Sequence, residues 1–366
     1  MIPVVKPYLP SREKLDKYID GIYERAWLSN NGPLVQELTA RLEDYLQVSN
    51  LLLVSNGTQA LQVAYHALEL SRGAQDTEIE AITTPFSFIA SASSLKWEGI
   101  NPVFSDIHPQ TWCLDPAGLE SAITPKTRAL VPVHVFGNAC DVSAIDAIAR
   151  KHGLKVIYDA SHAFGVKFKG EGLLNHGDAA TLSFHATKLF HTVEGGAVVF
   201  KRKEDLERAR KIINFGIAGS GRIEALGINA KMNEFQAAMG LCVLDEIDAN
   251  IDARSKVWRF YKQELSDTVQ FQCQDADLVS NFSYAPIVLN NEGEVERVIA
   301  ALAMIDIQSR RYFHPSLESL PCLGQHKVQP ESSLIASRIL CLPMYAGLNQ
   351  EVQKKITNTI KAELNQ

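Results

Sequence analysis

Short β-branched runs alternate with amphipathic stretches from residue 50 to about 215, and this rhythm limits the possible folds more than any other feature of the chain. Leu51–Val54 reads as a buried strand. It runs through Ser55-Asn56-Gly57-Thr58 into QALQVAYHALEL, an apolar-periodic helix behind a polar cap. Ile79–Thr84 reads as a strand closed by Pro85, and Pro102–Phe104 as one closed by Asp106. Ala129–Phe136 is a further apolar run. Asp141 caps a predicted helix, VSAIDAIARKHG, that stops at Gly153. Lys155–Tyr158 ends on Asp159, and residues 180–184 and 197–200 read as two more strands. Strands alternating with helical patterns predict an α/β domain with a mostly parallel sheet covered on both faces. Ligands of such sheets collect at the carboxyl ends of strands, where Ser55, Pro85, Asp159 and Ser183 sit.

The texture changes after residue 233. Residues 233–265 form one helical pattern without proline, which predicts a single long connecting helix. Beyond it FSYAPIVL and RILCLPM read as strands, and EGEVERVIAALAMI and NQEVQKKITNTIKAEL as helices. That is enough for a second, smaller α/β domain. The expected division is 1–245 and 246–366, with the N-terminal segment able to pack on the smaller part. A chain of 366 residues has room for two domains of ordinary size.

Composition removes whole classes of function. The chain is 46% hydrophobic and 21% charged, which is ordinary for a globular protein and excludes a disordered, fibrous or coiled-coil chain. A net charge of −6 gives no basic footprint for nucleic acid or an anionic membrane. No apolar run approaches the roughly 18–20 residues of a spanning helix. The proline-broken start MIPVVKPYLPSREK lacks the apolar stretch of a secretory signal. Six cysteines (Cys113, Cys140, Cys242, Cys273, Cys322, Cys341) are scattered singly with no CxxC. They are expected to be buried thiols of a reducing compartment, the cytoplasm by default, rather than a disulfide framework or a zinc site.

Three segments carry chemistry. Ser55-Asn56-Gly57-Thr58 joins a strand to a helix N-terminus, where free amides and the helix dipole favour an anion. A plain helix cap with a glycine turn is the simpler reading of the same residues. The GxxxxGK[ST] of a nucleotide-triphosphate loop is missing. Asp159 ends a buried strand, where a carboxylate is costly unless a cation or strong donor faces it. It is either a helix cap or the partner of a protonated heterocycle. Lys188, in Ser183-Phe-His-Ala-Thr-Lys188, stands off another strand end with no carboxylate beside it in sequence. Desolvation would lower its pKa and make it a nucleophile toward an aldehyde; the alternative is a surface lysine. His185 and His191 have no cysteine nearby and a poor spacing for zinc, so no metal is expected. An anion-binding helix terminus, a carboxylate for a ring nitrogen and a lysine 29 residues downstream are together the parts that hold pyridoxal 5'-phosphate. Phe88, just past Pro85, is placed either to stack on the ring or to pack in the core.

These motifs, in this order, resemble the pyridoxal-phosphate-dependent sugar aminotransferases of the DegT/DnrJ/EryC1/StrS family. The likeness runs from SNGTQAL through TTPFSFIASASSLKWEGINPVFSDI, PVHVFGNACDVSAI, VIYDASHAFG and SFHATKLFHTVEGG to GINAKMNEFQAAMG. It implies an aspartate-aminotransferase fold (type I of the pyridoxal-phosphate folds). It implies that Lys188 carries the cofactor's aldehyde, that Asp159 faces the pyridine nitrogen and that His162 lies near the ring hydroxyl. It implies that Gly57, Thr58 and Ser183 hold the phosphate, and that Phe88 stacks on the ring. It further implies that Asn229 reaches the phosphate of a partner subunit, so that the active sites form at a homodimer interface. Lys231 stands where many relatives have arginine, which pairs oxyanions differently. In combination, TTPFSF, DASHAFG, FHATKLFHTVEGG and RRYFHPSL resemble the members acting on nucleotide-linked 4-keto-6-deoxyhexoses with L-glutamate as donor; members that aminate a 3-keto sugar carry similar motifs. The Arg310–Pro315 segment either borders the substrate or forms a structured turn. A dinucleotide-dependent sugar reductase is the first rival, but Gly216, Gly219 and Gly221 do not have the GxGxxG spacing. A non-catalytic regulator is the second, and it has no need to keep both Lys188 and Asp159.

Overall fold

The alternating segments gather into one seven-stranded sheet. The computed structural model describes residues 1–70, 78–219 and 221–365. Its strands are β1 (Leu51–Val54), β2 (Ile79–Thr83), β3 (Ile100–Phe104), β4 (Thr127–Val131), β5 (Lys155–Asp159), β6 (Lys167–Phe168), β7 (Glu171–Gly172), β8 (Ala179–Ser183), β9 (Gly196–Phe200), β10 (Gln270–Phe271), β11 (Leu278–Val279), β12 (Ala285–Val288) and β13 (Ile339–Leu342). The large sheet has the order β1-β9-β8-β5-β4-β2-β3. Strands β8, β5, β4, β2 and β3 are mutually parallel, and β9 runs against both of its neighbours. β1 and β9 are buried along their whole length and lack apolar–polar alternation, as strands covered on both faces do, whereas the edge strand β3 alternates. The sheet is therefore α/β and mostly parallel, as the sequence predicts. The run Ala129–Phe136 is only half strand. Pro132 cannot donate to the ladder, so β4 stops at Val131 and Val135–Gly137 form a 3-10 turn.

The connector differs from expectation. Residues 233–265 are two helices, Glu234–Leu244 and Ile247–Leu265. The break falls at two acids that are held from elsewhere. Asp245 pairs with Arg41 at 2.6 Å, and Glu246 takes Lys14 at 2.8 Å and the Tyr8 hydroxyl. The helix Pro33–Leu46 begins with no local cap. Glu234, fully buried, accepts the Leu34 and Val35 amides at 2.9 and 3.0 Å, so the cap comes from 200 residues away.

A separate apolar cluster, including Tyr261, Ile287, Val298, Leu340 and Ile356, packs around the three-stranded sheet β10-β12-β13. Ile2 packs against it. Asp106, beyond the end of β3, accepts the Glu331 and Ser332 amides at 2.8 Å each and so anchors the helix Pro330–Arg338 to the large sheet. The cysteine expectation holds for four residues only. Cys113, Cys140, Cys242 and Cys341 are buried, but Cys273 and Cys322 are exposed because they lie in connections outside both cores; none of the six is in a disulfide. No helix among the described residues is long and apolar enough to cross a membrane.

Candidate active site

One cavity of about 700 Å³ opens at the carboxyl ends of β1, β5 and β8. Gly57, Thr58, Phe88, Asp159, His162, Ser183 and Lys188 all line it. The helix Gly57–Ala67 enters with Asn56 as its cap, the Asn56 side chain accepting the Gln59 amide at 2.9 Å. The first amides of the helix, at Gly57 and Thr58, have no partner within the helix and remain available to an anion. Close approach demands the glycine. A Cβ on Gly57 would stand 2.7 Å from the Ser183 Cβ, so a side chain there would push the helix terminus off the end of β8.

Asp159 is 5% exposed, and both of its carboxylate oxygens accept hydrogen bonds. Its Oδ2 accepts the Ser91 hydroxyl at 2.7 Å; its Oδ1 accepts the Ser161 hydroxyl at 2.6 Å and the Ser161 amide at 3.1 Å. Three donors hold the carboxylate at the cavity wall with lone pairs to spare. His162 is buried, and its Nδ1 accepts the Phe136 amide at 3.1 Å, which leaves the proton on Nε2. Burial, with Lys188 nearby, lowers its pKa well below 6.5, so the ring is neutral. Phe136 and Phe313 lie nearly parallel to that ring, at interplanar angles of 8° and 2°. Phe88 presents a half-exposed ring to the cavity and is not packed in the core.

Lys188 follows the end of β8 and has no carboxylate within ion-pair distance among the described residues. Its Nζ donates to the Tyr284 phenol at 3.3 Å. Desolvation lowers its pKa from 10.5 to about 8, against the opposing pull of Asp159 and Tyr312. The lysine is therefore a partly neutral amine near physiological pH rather than a surface cation.

Asn229 is not brought to this cavity. Its neighbour Ala230 accepts the Ser55 amide at 2.8 Å, but Asn229 itself is exposed and outside the lining. Lys231 faces a different cavity, of about 720 Å³, where its Nζ donates to Asn214 at 3.0 Å and lies over the Phe215 ring. His185 and His191 do not converge: His191 bonds the Tyr8 carbonyl, and His185 bonds Thr187.

Sequence reasoning missed Ser91, Ser161 and Tyr284, and left Arg310 and Tyr312 undecided between a substrate border and a turn. Arg310 and Tyr312 line the cavity, with the guanidinium 4.6 Å from the Tyr312 ring centroid. Ser161, two residues past Asp159, was the one with a local signal, as the hydroxyl able to close on that carboxylate. Ser91 and Tyr284 come from 68 and 96 residues away from their partners, a distance no local pattern spans.

Residues 11–361 match the model of the DegT/DnrJ/EryC1/StrS aminotransferase family. The chain belongs to this family. A dTDP-4-amino-4,6-dideoxy-D-glucose transaminase of Shigella dysenteriae is 40% identical over 98% of both chains, and one of Escherichia coli is 37% identical over 99% of both. Among solved structures, DesI in the presence of its TDP-sugar product superposes with a TM-score of 0.91 at 33% identity, over 99% of this chain and 92% of that one. The fold is that of the family's sugar aminotransferases.

Proposed function

We propose that this chain binds pyridoxal 5'-phosphate and moves the amino group of L-glutamate to C4 of dTDP-4-keto-6-deoxy-D-glucose, giving dTDP-4-amino-4,6-dideoxy-D-glucose. The observation that carries the reading is the Lys188 amine, with a pKa near 8, sharing one cavity with the Asp159 carboxylate and the helix terminus at Gly57–Thr58. These residues fit the cofactor. The helix terminus and Ser183 suit a phosphate, and the glycine there leaves no room for a side chain. Asp159, held by two serines, suits a protonated ring nitrogen. When bound, the cofactor supplies an aldehyde and an electron-withdrawing ring that acidifies the carbon bearing the amine.

The chain's own residues do the rest. Lys188 takes a proton at Nζ and returns it, which a pKa close to the working pH favours. Asp159, fixed by Ser91 and Ser161, would face the ring nitrogen as its hydrogen-bond partner. Neutral His162, its Nδ1 taken by the Phe136 amide, would have its Nε2–H available for the ring hydroxyl. A cavity of about 700 Å³ lies within the roughly 300–1,000 Å³ usual for small-molecule sites, and so has room for a sugar beside the cofactor.

The working unit is a homodimer in which Asn229 reaches the partner's phosphate. Ile223, Leu226 and Ile228 support this reading: three large apolar side chains stand exposed beside Asn229, Leu226 at 90%. Six thiols without a disulfide support a reducing, cytoplasmic compartment. The test is a product assay with pyridoxal phosphate, L-glutamate and dTDP-4-keto-6-deoxy-D-glucose, locating any new C–N bond by NMR. An equatorial amine at C4 is the expected result. No product from that sugar, with conversion of its 3-keto isomer, would move the enzyme to the 3-aminating relatives and keep the chemistry.

A further inference from the structure

Among the described residues the amine of Lys188 makes one side-chain hydrogen bond, to the phenol of Tyr284 at 3.3 Å. Tyr284 arrives from the other end of the chain, one residue before β12. Its ring is fixed on three sides: edge-on to His162 at 4.7 Å, tilted against Phe136 at 5.3 Å, and T-shaped to Tyr312 at 5.8 Å. Its hydroxyl makes no other hydrogen bond among the described residues. A phenol has one donor and two acceptor sites, so it matches an amine in either charge state. A lysine ammonium donates to the phenol oxygen. A neutral lysine amine accepts a hydrogen bond from the phenol O–H. We propose that Tyr284 is the positioning residue for Lys188, its phenol holding the lysine nitrogen in place in both protonation states while that nitrogen carries the transferred proton.

The proposal rests on the transaminase reading, in which Lys188 loses and regains one proton at Nζ. Tyr284 keeps its own proton throughout, because burial pushes its pKa far above the physiological range. Three other groups face the lysine: Asp159 from the end of β5, His162 from the turn after it, and Tyr312 from the segment before β13. Arg254 and Arg310 face Tyr284 in turn. All of them stay in place when the hydroxyl alone is removed, so a Tyr284→Phe substitution isolates the contact.

The first measurement uses the apoprotein, in which Lys188 is free. Its pH-dependent acylation is followed by peptide mass spectrometry in the wild type, Tyr284→Phe and Tyr284→Leu. A hydrogen bond to the ammonium is stronger than one to the neutral amine, so losing it lowers the midpoint. The expected shift in Tyr284→Phe is downward by roughly half to one pH unit. In the loaded enzyme the glutamate half-reaction, read from cofactor absorbance, slows by roughly 10- to 100-fold with the KM for glutamate nearly unchanged. An unmoved midpoint and rate in Tyr284→Phe overturns the proposal. So does a loss seen only in Tyr284→Leu, which would mean that the ring merely packs. A shifted midpoint in a chain that accepts no amino donor overturns instead the transaminase reading, and with it the role given to the contact.

Discussion

At the scale of residues, Lys188 is held out of its preferred state. Its folded pKa of about 8 lies below the ordinary 10.5, so between those values the unfolded chain binds more protons and stability rises with pH. Below about pH 8 the amine is charged against its burial. Lys188→Met removes that penalty. The apoprotein should gain about 1–3 kcal/mol at pH 7, and the gain should vanish as the pH approaches 10.5. Thermal melts across that range check both the sign and the window, while turnover falls to background at every pH. Arg310 makes the second prediction. It lines the cavity, stacks on Tyr312 and has no carboxylate partner among the described residues, which suits the diphosphate of a nucleotide sugar. Arg310→Ala should raise the KM for the nucleotide sugar by roughly 10- to 100-fold and leave the glutamate half-reaction near its original rate. Separate kinetics of the two halves test this, and equal damage to both would contradict it.

At the scale of elements, distant side chains finish what local sequence leaves open. The helix Pro33–Leu46 starts after Gly32, with no side-chain cap of its own, and the Glu234 carboxylate fills that place. Glu234→Ala would leave two buried amides bare and should cost about 1–3 kcal/mol, read as a lower urea midpoint with an unchanged slope. The local helix boundaries were readable where the cap is local. Asp141 and Gly153 bracket the helix Val142–His152 as their types require, the aspartate accepting the Ala144 amide and the glycine taking a positive φ of 65°. The break at Asp245–Glu246 was not readable. The two acids at the break are held by Arg41, Lys14 and Tyr8, all more than 200 residues upstream in sequence, which no local pattern records.

At the scale of the whole molecule, the proposed dimer makes a prediction that a monomer cannot meet. Lys188→Ala and Asn229→Ala should each be impaired alone, yet mixed subunits should regain activity. One of the two sites in such a hybrid then carries both defects and the other carries neither. Refolding the two variants together and assaying the mixture checks this; no recovery would mean that Asn229 acts within its own subunit. By itself the sequence determined the parallel-sheet rhythm, the identity of the chemical groups at the strand ends and their order along the chain. Periodicity, caps and strand-end polarity are local properties, and local properties survive in a one-dimensional record. Only the tertiary structure decided which groups meet. Ser91 on Asp159, Tyr284 on Lys188 and Glu234 on the Leu34 amide are contacts across 68, 96 and 200 residues. Packing brings them within hydrogen-bond reach, and burial then sets the charge on the lysine and the histidine, because desolvation is a property of the folded site and not of the residue.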